Sequence, residues 1–273
     1  LAGGEIGITG DVGIDGDIDG DGIADVTLDA RGLSRVMSVT SGGSAMLSGL
    51  VVTGGDASLA HGGGISVIHA SLDLRDSVIH GNAGTYGGGL YANAGDLRIA
   101  NTEFRGNAAS YGGGMAVWDS TLAMGSVTVA QNMASGSGGG IAIFDSNVAL
   151  ANLTLADNTA GTRRGGAWIY ETEGAITQST ITGNVASGGH GGVQVDGASG
   201  GLTLSNSILA GNLAFASEDQ DLSVNGAGVA TLAGGVILGA AANATGGTLN
   251  TPGTVTVLAD GPRTLADVFA GIE

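Results

Sequence analysis

The chain has 273 residues, a formal net charge of −17, no cysteine, and eight basic residues that are all arginine. So acidic a chain repels a phosphate backbone, which excludes nucleic acid and favours metal cations as partners. Without cysteine there is neither a disulfide framework nor a thiolate metal site, which fits a bacterial exported protein.

Glycine contributes 55 residues and proline 2, with no Gly-X-Y register, so collagen is excluded. A hydrophobic share of 42% supports a core, but aromatics at 4% leave that core to aliphatic side chains. No apolar run is long enough to cross a membrane as a helix. A start at Leu1 without Met or a visible signal peptide predicts a piece of a longer protein.

Residues 1–55 read as entry coils, with short β-rich runs at 5–9, 25–28, 36–39 and 45–52. Between the first two, Asp15, Asp17, Asp19, Asp21 and Asp25 place five carboxylates within eleven residues. Unpaired, they repel one another. A hard cation removes that cost, because Ca²⁺ takes six to eight oxygens and suits Asp at alternate positions before a turn glycine. The best register puts Asp17, Asp19 and Asp21 first, Gly22 at the turn, the Ile23 carbonyl next and Asp25 after it. Leu28 stands where a helix-loop-helix hand needs Glu, so Asp29 or Asp15 would complete the shell.

Residues 56–212 are a repeat. The residue after each glycine run is Ile65, Leu90, Met115, Ile141, Ala167 and Val193, and it advances by 25, 25, 26, 26 and 26. Asn82, Asn107, Asn132, Asn158, Asn184 and Asn212 keep nearly the same step. A fixed period of this length means a stacked solenoid. Apolar columns lie three, eight and ten residues before each asparagine, as in Ile79, Leu74 and Leu72, and again in pairs such as Ile65/Val67 after the glycines. Spacing by two is strand periodicity, so each coil holds about three short strands and the fold class is an all-β parallel solenoid. The asparagines should form an internal ladder beginning at Asn82, each amide bonding its own turn and the amide one coil on. The glycine runs should supply positive φ and close backbone approach at another corner.

The Gly-Gly-Gly-aliphatic and Gly-Asn-x-Ala marks resemble the right-handed parallel β-helix repeats of bacterial surface proteins, including the Gly-Gly-Ala/Ile repeats of polymorphic outer membrane proteins. The entry segment from Ile14 to Val26, followed by Ser48–Gly55, is similar to the start of large secreted β-helix proteins, some of which carry haemolysin-type calcium repeats. The resemblance covers most of the chain. It implies the fold, an extracellular or cell-surface location and Ca²⁺. It does not single out an activity, because this fold hosts lyases, hydrolases and adhesins.

Residues 213–273 lose the period. An acidic turn is predicted at 217–222, strands at 229–237 and 254–258, a short helix or a further coil at 265–272, and Glu273 reads as a cut end.

In a solenoid, one repeat position becomes a surface row. Trp118, Phe144 and Tyr170 fall in one outward column of the strand after the glycines, and Tyr91 and Trp168 in the neighbouring one. Exposed aromatics on a sheet bind sugar rings or a partner protein. The next column carries His69, Asp119, Asp145 and Glu171, whose stacked acids invite a cation or an enzyme's paired carboxylates. Pectin-cleaving β-helix enzymes are similar in placing acids on adjacent coils, and Gly189-His190-Gly191 and Asn101-Thr-Glu103 resemble polygalacturonase motifs. Their Asp-Asp pair is missing, however, and the chain has no lysine to act as a lyase base. His61, His69, His80 and His190 show no metal-ligand spacing and read as solvated residues.

Two functions follow. The first is a secreted or surface-displayed structural and adhesion module, stabilised by calcium, whose open coil ends favour self-association into fibres or layers. The alternative is a polysaccharide-acting enzyme, or a carbohydrate-binding module, using Tyr91, Trp118, Phe144, Trp168 and Tyr170 with Asp119, Asp145 and Glu171.

Overall fold

A computed structural model describes residues 4–197, 201–216 and 221–258. The strands pair in parallel, apart from one isolated antiparallel bridge between Asn225 and Gly246, and fall into three sheets of ten, eighteen and seven. Sheet 1 holds the strands after the glycine runs, from Ile6–Ile8 to Asn243–Thr245. Sheet 2 contains two rows, one typified by Ser71–Arg75 and one by Val78–His80. Sheet 3 starts later in the chain, at Asp56–His61, and ends at Leu213–Ala214.

The register follows the repeat. Leu90 pairs with Ile65 and Met115, and Ala92 with Val67 and Val117, so inward side chains stack on their own kind. From Met37 to Val224 these columns are buried, and they belong to one core from Ile8 to Leu238 that is aliphatic except for Phe104. Each fully buried aliphatic side chain contributes about 1.5–3 kcal/mol.

The coils that include a sheet 3 strand have four strand segments rather than three. The additional bend lies within sheet 2 at Asp76, Asn101, Ser126, Asn152, Gln178 and Asn206, all with φ between +48 and +56. One left-handed residue turns the chain there without a glycine, and Asn and Asp tolerate that conformation better than most side chains. In the glycine runs the first residue takes positive φ, as at Gly87 (+62°), while the next sits under backbone. A Cβ on Gly88 would come within 2.5 Å of the Ala108 and Gly113 carbonyl oxygens.

The asparagines form the expected ladder from amide to amide. Their other carbonyl partner, however, lies in the preceding coil rather than in the same turn. Only Asn82 also bonds its own turn, at His80 O. The Gly55 N–H donates to Asn82 Oδ1 (2.9 Å), Asn82 N–H to Asn107 Oδ1 (3.1 Å) and Asn107 N–H to Asn132 Oδ1 (2.9 Å). Each Nδ2 also reaches the next amide oxygen and an earlier carbonyl, as Asn107 Nδ2 does with Asn132 Oδ1 (3.0 Å) and Ile79 O (2.9 Å). All six asparagines are buried.

Hydroxyl groups repeat the device at two other corners. Ser120 N–H donates to Ser146 Oγ (3.1 Å), whose hydroxyl donates to Phe144 O (2.6 Å). Likewise Leu153 N–H donates to Ser179 Oγ and Ser179 N–H to Ser207 Oγ, both at 3.1 Å.

Of the predicted acidic turn at 217–222, residues 217–220 lie outside the described residues, as do 265–272 and Glu273. Asp221 is not a turn acid. Buried at 1% exposure, it closes the ladder: its Oδ1 accepts from Asn212 N–H (3.2 Å) and Nδ2 (2.7 Å), and its Oδ2 from Ala240 N–H (2.8 Å). Burial pushes its carboxyl above the ordinary range, against the pull of those donors. The predicted late strands are present as Val229–Ala233, Gly235–Leu238 and Thr254–Val257, stacked on the coils before them.

Candidate functional site

Three groups of predicted site residues occupy different places on the solenoid. The first is the aspartate loop. Asp11–Asp15 is itself a strand of sheet 2, and the loop leaves it between Gly16 and Asp25. Ligand oxygens of Asp17, Asp19 and Asp21 lie within 4.8 Å of one another. The Asp17 carboxylate accepts from the N–H groups of Gly20 (2.8 Å), Asp21 (3.1 Å) and Gly22 (3.0 Å). Asp15 and Asp25 do not join that group. Asp15 Oδ1 accepts from Asp17 N–H and Asp25 Oδ2 from Ile18 N–H, so both shape the turn around it. Exposed Ile23 donates its N–H to Asp21 Oδ1, and Asp29 Oδ1 accepts from Arg31 N–H.

The second group is the aromatic face. The rings form a packed layer over the outer surface of sheet 1. Trp118 and Phe144 stack with centroids 4.3 Å apart, and Phe144 meets Trp168 edge-on at 4.7 Å. Phe144, predicted to be exposed, is only 8% exposed because those two rings enclose it. Tyr86 and Tyr111, which precede the glycine runs, fold in from the neighbouring corner and contact Trp118 (4.9 Å) and Trp168 (6.3 Å). His61 is not a solvated turn residue. Its ring sits 4.9 Å from Tyr86 and 4.7 Å from Tyr91, and burial lowers its pKa.

Beneath the layer, outward-facing Ala116 and Ala142 are fully buried, and their small size makes room for the rings. Tyr91, Trp118 and Trp168 remain half-buried, and Tyr170 is 36% exposed. A visible cue to the missed members was the aromatic before the glycines in consecutive coils, Tyr86 and Tyr111.

At the far end, Arg164 takes φ +64° in a column that earlier coils fill with glycine. Its guanidinium carbon lies 4.1 Å from the Trp168 ring centroid, and Nη2 bonds Asp196 Oδ2 at 3.0 Å. Trp168 Nε1 donates to the same oxygen at 3.0 Å. Burial lowers the Arg164 pKa, with Asp196 opposing that effect.

The third group is the acid row. Asp119, Asp145 and Glu171 are corner residues following the strands, with φ of +46°, +50° and +45°. Asp119 and Asp145 are exposed and Glu171 is half-buried. The Asp145 carboxyl is raised above its usual range by burial, then by the Glu171 and Asp119 charges and a hydrogen bond with Glu171. Glu171 also holds the Tyr170 hydroxyl by a hydrogen bond, which raises the Tyr170 pKa. These acids do not meet the spacing of a metal-holding cluster, which among the described residues only Asp17, Asp19 and Asp21 do.

A family model described as the right handed beta helix region matches residues 38–235, well over half of the chain. The chain belongs to the right-handed β-helix family. No curated protein and no solved structure matched it in the same comparisons. In this β-helix the aromatic layer and the acid row run side by side along successive coils. The aspartate loop sits at the entry end, in sheet 2. The arrangement can seat planar or cationic groups against rings and carboxylates, and it can hold a cation at the entry loop.

Proposed function

We propose that the chain is a rigid extracellular or cell-surface β-helix rod, a structural and adhesion module whose entry loop takes Ca²⁺. The observation that carries this reading is the unbroken ladder from Gly55 to Asp221, which ties each coil to the next through buried side chains. A stack so cross-linked is a stiff spacer, and it presents the aromatic layer at a fixed place along its length. The acid row gives less support to cleavage of a polysaccharide, because its carboxylates are the left-handed turn residues of one corner. For calcium, the hard oxygens of Asp17, Asp19 and Asp21 fit, and they are close enough to share one ion. Bound there, Ca²⁺ would neutralise carboxylates that otherwise repel.

Two measurements test this. Incubation with neutral and acidic polysaccharides should release neither reducing ends nor unsaturated uronides; product that disappears in Asp145→Ala would instead establish the enzyme. Millimolar Ca²⁺ should raise the melting midpoint by a few degrees and protect the loop from proteolysis, with chelator reversing both. Asp19→Ala should lose the response, and a midpoint indifferent to calcium would rule the ion out.

A further inference from the structure

The aromatic layer and the acid row share one surface, and together they select a particular partner. Exposed Asp119 follows Trp118 and its charge acts on Tyr91, while exposed Asp145 follows Phe144 and acts with Glu171 on Tyr170. Beside Asp119 an open groove of about 420 Å³ is also lined by His69 and Asp96. Asp96 pairs with Arg98 at 3.5 Å, but no base among the described residues is paired with Asp119 or Asp145.

The chain shows what this surface chemistry holds. At the end of the layer Arg164 lies over Trp168, with its guanidinium bonded to Asp196. That seat is ring, carboxylate and cation together. The two coils before Trp168 offer the same kinds of group in different columns, with alanine in the Trp168 column, rings in the Asp196 column and the acids one residue after those rings. We infer that the strip from Tyr91 to Tyr170 docks a basic polypeptide segment, seating its guanidinium or ammonium groups on Trp118 and Tyr170 against Asp119, Asp145 and Glu171.

Charge complementarity favours this occupant over a sugar chain. The carboxylates attract a cation and repel uronates, and a ring over which a cation is centred is attracted through its quadrupole. The inference rests on the adhesion reading and names the partner for it.

The test is titration of the whole chain with a hexa-arginine peptide, followed by tryptophan fluorescence, alongside hexaglycine and a glucose hexasaccharide. Hexa-arginine should bind with an affinity that falls on adding salt, while the two neutral probes should not bind. Asp119→Asn with Asp145→Asn should weaken binding at least tenfold. The charge-matched control Asp11→Asn with Glu173→Gln should stay within about twofold. Trp118→Ala, checked for an unchanged melting midpoint, should also lose tenfold or more.

Equal weakening by the control pair would reduce the effect to bulk charge and overturn the proposal. Tighter binding of the hexasaccharide would replace the peptide with a glycan. If hexa-arginine fails to bind and no polysaccharide is cleaved, the rod reading stands and only the partner is lost.

Discussion

The ladder coils and the entry loop both satisfy backbone N–H groups with side-chain oxygens, but over opposite ranges. Ladder bonds join residues 25 to 28 apart and lie buried. Loop bonds join residues two to seven apart and are exposed. A buried bond between coils is lost only when coils separate, so the ladder couples local order to the whole stack. An exposed bond within a loop competes with water and by itself adds little to the stack. The same residue chemistry therefore yields a structural spine in one region and a responsive surface element in the other.

The sharpest way to break this contrast is at the middle of the spine. Asn132→Ala removes the acceptor for Asn107 N–H and Nδ2 and the donor to Phe104 O and Asn158 Oδ1. Buried groups left unpaired, plus the cavity, should cost roughly 3–5 kcal/mol in urea unfolding. That loss should be the same with and without calcium, unlike the effect of Asp19→Ala. A loss below 1 kcal/mol would show that the ladder contributes little to holding the coils together.

The end of the spine should be nearly as sensitive. Asp221 uses both carboxylate oxygens as acceptors, so it can end a chain of amides without offering a donor of its own. In Asp221→Asn the oxygen can still serve Asn212, but the amide nitrogen then faces Ala240 N–H. Two opposed donors should cost about 1–3 kcal/mol. Hydrogen exchange should locate the loosening around Gly239 and Ala240, with Asn107 and its neighbours unaffected.

Much of the spine could be read from the sequence because it repeats. Six asparagines at a near-constant step, with apolar residues at spacings of two between them, leave little freedom in how the coils stack. The hydroxyl ladders escaped notice because Ser120, Ser146 and Thr172 are neither invariant in type nor uncommon in turns. Asp221 was obscure for a different reason. It stands nine residues after Asn212, off the period, and its role depends on Ala240 in a later coil. The aromatic rows were legible as positions but not as packing, since alternation tells which side a ring leaves from and not whether other rings cover it. Phe144 leaves the outer side and is buried there.

The hydroxyl ladder gives an intermediate test. Ser146→Ala leaves Ser120 N–H without its acceptor inside a corner and should cost about 1–2 kcal/mol. Ser146→Thr keeps the oxygen and should recover most of that loss. If alanine and threonine behave alike, the hydroxyl is not what holds this corner.

The smallest effect should come from the acid row, and its sign is informative. Asp145 has a raised carboxyl pKa in the fold, from burial first and the Glu171 and Asp119 charges next. Its anion is therefore disfavoured on folding. The matching stability is present below the ordinary carboxylate pKa and is lost as pH rises through the raised value. Asp145→Asn carries no such charge, so it should be more stable than the parent at neutral pH, by only a few tenths of a kcal/mol at so exposed a site. The difference should shrink to nothing on acidification and be reduced by salt. Melting midpoints of the two proteins across that pH range decide the matter. If Asp145→Asn is less stable at neutral pH, the carboxylate's bonding at its left-handed corner outweighs repulsion from its neighbours. The row would then be a structural edge in its own right, and the surface it forms with the rings would owe its charge to turn chemistry rather than to a partner.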